Sequence, residues 1–311
     1  MVNINFVKSS DKDTIIKFLK KLNIPKPNTR KGDNGRALII GGSKLFHSAP
    51  LWSAKIAVKF NDIVHLASVD ENKDIFKNLK VNFTQGIVID RSDISSYLKE
   101  DDIVLIGPGM LRDDKEYKIE LKDTSLIDLL KNKNEAVVSR EITHFILKNF
   151  KDKKIVLDAG ALQMADPEWF KGPRLHKPVI TPHIVEFERL FHLVLPPKID
   201  DRIAIIANKA REHECVILFK STIDIISDGE ETVVVSGGNQ GLTKGGTGDI
   251  LSGLVTALAA KSPTLASCAV GSYLIKTAAD ELFNDCGIWY DTDQVLEKIP
   301  NVMTELVYNK E

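Results

Sequence analysis

Residues 244–253 read KGGTGDILSG (Lys244, Gly245, Gly246, Thr247, Gly248, Asp249, Ile250, Leu251, Ser252, Gly253) and run directly into the apolar positions Leu254, Val255 and Leu258. Three glycines and a threonine ahead of a helical apolar period predict a glycine turn that opens a helix. Such a turn gathers backbone N–H donors at the positive end of the helix dipole, a setting that suits a phosphate or another developing anion. A carboxylate repels that anion unless it has a task of its own. One task for Asp249 is to take a proton from the group that attacks the phosphate. The other is to cap the helix, where aspartate is among the best residues. The motif alone favours the cap, because short motifs match by chance.

Outward from this turn the chain alternates strand and helix. Just upstream, residues 224–227 and 231–236 flank Asp228-Gly229, a hairpin signal. Earlier still, apolar runs at 37–40, 62–67, 86–89, 102–106, 154–157 and 215–219 have the length and continuity of buried parallel strands. Helical periods at 49–60, 142–150 and 203–212 lie between them, and residues 111–134 read as a helix with a loose surface loop. Downstream come a long Ala/Leu/Val helix at 264–283 and a last amphipathic helix capped by Thr292 and Asp293. Most strands end in glycine or polar residues: Gly41-Gly42-Ser43, Gly107-Pro108-Gly109, Asp158-Ala159-Gly160 and Lys220. Those ends share one face in an open α/β sheet, which is where ligands bind. The expected fold is α/β, a doubly wound, mostly parallel sheet with flanking helices and a late antiparallel hairpin. One domain spans 1–311, with 1–29 an N-terminal helical extension built on an amphipathic helix at 10–22.

Composition narrows the class of partner. The 311 residues are 43% hydrophobic, enough for a large core, and the formal net charge of −1 supplies no basic field for nucleic acid. Cys215, Cys268 and Cys286 are odd in number, lack C-x-x-C spacing and lie in or beside apolar segments, which reads as buried thiols in a reducing compartment. The first residues lack a signal-peptide h-region and no apolar run spans a membrane, so the protein is placed in the cytoplasm with no membrane partner. Amphipathic helices permit a homo-oligomer without requiring one.

Six stretches in order, KGDNGRALIIGGS (31–43), SAP (48–50), GPG (107–109), LDAGAL (157–162), TPHIVEFERL (181–190) and GNQGLTKGGTGDILSG (238–253), resemble the ADP- or ATP-dependent NAD(P)H-hydrate dehydratases of the ribokinase-like superfamily. The resemblance covers the chain from about Arg30 to Pro300. It implies that NADH or NADPH hydrated across a ring double bond (NADHX or NADPHX) is phosphorylated on the new hydroxyl and then loses phosphate. By position, Asp249 is the base that activates the C6 hydroxyl, and Gly246, Thr247 and Gly248 form the anion hole. Ala49, Gly109 and His183 line the nicotinamide hydrate. Lys220, Ser221, Thr222, Asn239 and Gly248 hold the nucleotide, ADP or ATP. Magnesium is implied as charge neutraliser, held by Glu186 through water. Relatives often carry an N-terminal epimerase domain for which this chain has no room, so a separate epimerase is expected to act on the same metabolite.

Four positions depart from the family pattern: Gly160 replaces a second acid, and Leu111, Val185 and Ser221 replace glycines. Two other readings compete. A ribokinase-like kinase of a small alcohol, such as a vitamin precursor or sugar, shares the GTGD turn without needing KGDxGR or TPHxxEF. A catalytically inactive nucleotide-binding sensor fits the substituted glycines.

Overall fold

The computed structural model of the chain describes residues 3–79, 83–113 and 125–308. Ten strands form one sheet: β1 (Asn3–Lys8), β2 (Arg36–Ile40), β3 (Ile63–Ala67), β4 (Ile87–Ile89), β5 (Ile103–Ile106), β6 (Lys154–Leu157), β7 (Val179–Ile180), β8 (Val216–Phe219), β9 (Ile223–Ser227) and β10 (Glu231–Ser236). Their order is β1-β10-β9-β8-β7-β6-β5-β2-β3-β4. Among the described strands only the pairs made by β9, with β8 and β10, are antiparallel.

Both sheet faces are covered, which explains why the central strands read as unbroken apolar runs. Side chains alternate across the sheet. Ala37 and Ile39 of β2 join Val64 and Leu66 of β3 in a core with the helices Ser48–Ala57, Thr247–Ala259 and Thr264–Cys286. Leu38 and Ile40 point the other way, into a core with Glu135–Asn149 and Ile199–Glu212. The order turns at β2, which lies between β5 and β3, so the switch point of the sheet falls at the carboxyl ends of β2 and β5.

The N-terminal segment differs from the expected helical extension. It opens with β1, which pairs in parallel with β10 from Asn3–Glu231 to Lys8–Ser236. Only Val7 of this edge strand is buried, so its sequence carries no apolar signal. The expected helix over 10–22 shrinks to a 3-10 turn, Lys12–Thr14, and one α-turn, Ile16–Leu19. The Thr14 hydroxyl donates to Asp11 O (2.6 Å) and accepts from Lys8 N (3.1 Å), local bonds that compete with the helical ladder.

Residues 114–124 of the segment expected as helix and loop lie outside the described residues. Beyond them, one turn at Leu126–Leu129 precedes a helix Glu135–Asn149 whose first N–H groups bond to Asn134 Oδ1. Cys215 and Cys268 are buried as expected, but Cys286 is exposed at the end of its helix.

Candidate active site

The carboxyl ends of β2, β5, β6, β7 and β8 are fastened to one another by short bonds. Gly42 N donates to Pro108 O (2.7 Å), Thr181 Oγ1 donates to Asp158 Oδ1 (2.8 Å), and Lys220 N donates to Pro182 O (2.8 Å). A Cβ on Gly107 would stand 1.8 Å from Asp158 O, so the GPG loop can press onto the end of β6 only as glycine.

Against this platform stands the helix Thr247–Ala259. Its N-cap is Gly246 at φ 99°, a left-handed conformation that suits glycine, with the Trp52 ring directly beneath. Asp249 is therefore in the first turn and not at the cap, so the capping alternative does not hold. The Thr247 hydroxyl donates to Leu242 O (2.8 Å) and Lys244 O (3.0 Å), which ties down the turn. Helix geometry leaves the N–H groups of Gly248 and Asp249 without intrahelical acceptors, available to an anion.

Helix Ser48–Ala57 fixes the orientation of this turn. Ser53 Oγ donates to Asp249 O (2.8 Å), and a Cβ on Gly253 would stand 2.6 Å from Ser53 Cα. Gly253→Ala is expected to force the two helices apart at a cost of about 1–3 kcal/mol, read as a lowered Tm. An unchanged Tm would contradict this close crossing.

Charge is concentrated beside the turn. Asp158, 1% exposed, accepts from Lys220 Nζ at 2.7 Å. The ammonium in turn lies 3.6 Å from where a Cβ on Gly248 would be. Burial opposes charging Lys220, but the Asp158, Glu186 and Asp249 carboxylates outweigh it and hold the lysine above its ordinary range. Burial, then repulsion by Asp158 and Glu186, pushes the Asp249 carboxyl up to about 7, while Lys220 pulls the other way. A carboxyl in that state exchanges protons near neutral pH.

Of the residues expected at the hydrated ring, Ala49 and Gly109 meet: Ala49 Cβ is 3.1 Å from the Cβ position of Gly109, which has φ 71°. His183 caps the helix Ile184–Phe191 and stays half exposed, with Nδ1 accepting from Glu186 N (3.3 Å) and Nε2 remaining as donor. Glu186 is buried in the reciprocal half of that capping box. Its oxygens accept from His183 N (3.0 Å) and Gln163 Nε2 (2.7 Å).

Of the residues expected at the nucleotide, Ser221 and Thr222 follow Lys220, with Thr222 exposed. The Asn239 side chain turns inward, accepting from Tyr290 OH (2.6 Å) and Gly241 N (3.0 Å) and donating to Ala279 O (2.8 Å). These bonds tie the loop to the helix Thr264–Cys286 and to Tyr290.

The departures from the family pattern fit their surroundings. Leu111, Val185 and Ser221 avoid the left-handed region, so none needs to be glycine for conformational reasons, and Val185 points to solvent at 63% exposure. A Cβ on Gly160 would stand 2.2 Å from Met110 O, so the GPGM loop fills the space an acid would need. The KGDNGR stretch lies elsewhere, at the amino end of β2. There Gly32 N (2.7 Å) and Asn34 N (3.1 Å) donate to Asp62 Oδ2, and Arg36 N donates to Asp102 Oδ2 (2.9 Å).

Sequence reasoning noted Asp158 only as a strand-end acid and passed over Lys276, Asp224 and Asp280, which hold the loops after β8 and β10. Charged residues inside an otherwise Ala- and Leu-rich helix, SYLIKTAAD at 272–280, were the available signal.

An open, mostly parallel sheet, a late antiparallel hairpin and a glycine-capped helix beside a strand-end lysine make up a ribokinase-like fold. A ribokinase-like superfamily protein of Enterococcus faecalis superposes with a TM-score of 0.76 over 97% of this chain and 96% of that one, at 20% identity. An ADP/ATP-dependent NAD(P)H-hydrate dehydratase of Bacillus subtilis, crystallised with ATP and Mg2+, gives 0.75 over 98% and 99%, at 18% identity.

The chain belongs to the NAD(P)H-hydrate dehydratase family, whose model matches residues 37–301. An ADP-dependent (S)-NAD(P)H-hydrate dehydratase of Nitrosopumilus maritimus is 30% identical over 93% of this chain and 96% of its own length. A bifunctional NAD(P)H-hydrate repair enzyme of Methanocaldococcus jannaschii is 30% identical over 92% of the chain, which spans 51% of that relative.

Proposed function

We propose that the chain dehydrates hydrated NADH or NADPH at the expense of ADP or ATP. The observation that carries this reading is Asp249, a carboxyl poised near neutrality in the first turn of a glycine-capped helix and within the field of Lys220. Asp249 accepts the proton of the substrate's C6 hydroxyl. The hydroxyl oxygen bonds to the terminal phosphorus, and the bond from that phosphorus to AMP or ADP breaks. Backbone N–H groups at Gly246, Gly248 and Asp249, with the Lys220 ammonium, stabilise the charge that builds on the phosphoryl oxygens, while Thr247, whose N–H donates to Lys244 O, holds the turn in shape. The phosphorylated carbon then loses phosphate with its bonding electrons, a neighbouring ring proton leaves, and the double bond of the reduced nicotinamide returns. Ala49, Gly109 and His183 hold the hydrated ring, while Ser221, Thr222 and the Asn239 loop hold the nucleotide.

Among the described residues no three His, Cys, Asp or Glu side chains converge as a metal cage. Bound magnesium would be held by Glu186 through water. It would neutralise phosphate charge.

A soluble cytoplasmic location accords with three free cysteines and with no helix among the described residues long and apolar enough to cross a membrane. A separate epimerase acting on the same metabolite accords with the bifunctional name of the longer relative.

Purified protein with hydrated NADH, ADP or ATP and magnesium should restore absorbance at the reduced-nicotinamide band. Phosphorylation of another alcohol without that recovery would support the small-alcohol kinase instead. Because the base must be ionised, kcat/KM should rise with pH and level off above about 7, the value to which the Asp249 carboxyl is pushed. A profile flat from pH 5 to 9 would remove Asp249 from the proton transfer.

A further inference from the structure

Lys276 sits on the helix Thr264–Cys286 at 3% exposure. Its ammonium donates to the carbonyl oxygens of Ser221 (3.2 Å), Thr222 (3.1 Å) and Gly237 (3.4 Å), with Asp224 Oδ1 3.6 Å away. Ser221 and Thr222 follow β8 and Gly237 follows β10, so one side chain spans both loops of the nucleotide side. Asp224, 4% exposed, holds the same place from below, accepting from Ser221 N (2.8 Å) and Ser272 Oγ (2.6 Å). One turn beyond Lys276, Asp280 Oδ2 accepts from Gly238 N (3.0 Å) and from the hydroxyl of Ser9 (2.6 Å), at the end of β1. A single helix face thus grips both loops.

A buried ion pair of this kind is a poor source of stability, since apolar side chains of similar volume generally do as well. Its contribution is geometric. An ammonium has three donors, and three loop carbonyls take them. In a trans peptide the N–H points opposite to the C=O. With the Ser221 carbonyl held by Lys276, the Thr222 N–H of the same peptide points the opposite way from that ammonium, and Thr222 itself is exposed.

We propose that Lys276 is a positioning residue of the nucleotide cleft. By drawing the Ser221, Thr222 and Gly237 carbonyls inward it aims Thr222 N–H at a phosphate oxygen of the bound nucleotide and fixes the spacing of the two loops. Lys276 itself touches no substrate. The inference rests on the reading that these loops hold ADP or ATP, so its test measures ADP binding by calorimetry in the absence of the hydrated cofactor.

Lys276→Met removes the donors while keeping a long side chain. It is expected to weaken ADP binding by about tenfold or more and to raise the nucleotide KM by a similar factor, with the loss absent from kcat at saturating nucleotide. Lys276→Arg, which keeps charge and donors, should recover part of the affinity. A folded Met variant with wild-type ADP affinity overturns the proposal, as does one whose kcat falls at unchanged nucleotide KM. If the Met variant does not fold, hydrogen exchange on the wild-type protein decides. Exchange at the Thr222 amide should slow when ADP binds, and an unchanged rate at saturating ADP overturns the assignment. Wild-type protein that binds neither nucleotide would overturn the functional reading along with this one, and its own isotherm distinguishes that failure from the others.

Discussion

Asp249→Asn is expected to lower kcat by about 10³-fold while leaving ADP affinity within about threefold of wild type. The amide keeps the size of the side chain and the helix turn intact, since Gly246 makes the cap and the Asp249 carbonyl, not its carboxyl, accepts from Ser53. Only the capacity to take a proton is lost. The same substitution should stabilise the fold. The Asp249 carboxyl is pushed up to about 7 from an ordinary 3.8, so ionising it disfavours the folded state. That penalty is absent below the unfolded value, grows as pH rises and is complete above the folded one. The Asn variant should therefore melt higher than wild type at pH 8, with the difference closing toward pH 4. Retained turnover would remove the base assignment. A lower melting point at pH 8 would show that the carboxylate is a structural partner and not a strained catalytic group.

Lys220→Met should be the more damaging change overall. Asp158 is 1% exposed and would keep the Thr181 hydroxyl as its remaining side-chain partner, so a loss of about 3 kcal/mol of stability follows from the uncompensated buried charge. Activity falls for a different reason. In the proposed mechanism the ammonium beside Gly248 counters charge on the transferring phosphoryl, so its loss is expected to reduce kcat/KM for the nucleotide by about 10²-fold or more. Lys220 also draws the Asp249 carboxyl down, so the pH midpoint of the variant should move up. Adding Asp158→Asn should return most of the stability and little of the activity. If the single variant kept nucleotide kcat/KM within about tenfold and an unmoved pH midpoint, Lys220 would be only a buried tether for Asp158.

The parts of this molecule legible in its sequence are those whose signal is local. β2, β3, β5, β6 and β8 are buried on both faces, and their apolar runs stand out. β1 is an edge strand with a single buried residue, and β7 has two residues, so neither leaves a period to detect. The GTGD turn was readable because glycine, threonine and aspartate act there through the backbone of one short segment. Gly246 as cap moved Asp249 from a competing structural role to the first turn, and only the fold places Asp158 and Lys220 beside it. The partners of Lys276 could not be read, because its acceptors lie about 40 to 55 residues away in the chain and only a charge in an apolar helix marks the residue itself. KGDNGR shows the converse: a motif that carries family resemblance while anchoring the far end of β2.

The most direct test follows the substrate's own oxygen. Hydrated NADH carrying 18O in its C6 hydroxyl, turned over with ADP or ATP and magnesium, should deliver the label to inorganic phosphate, because the hydroxyl oxygen attacks phosphorus and leaves bonded to it. Label recovered in water, with reduced nicotinamide formed all the same, would contradict phosphoryl transfer to that hydroxyl and the role assigned to Asp249.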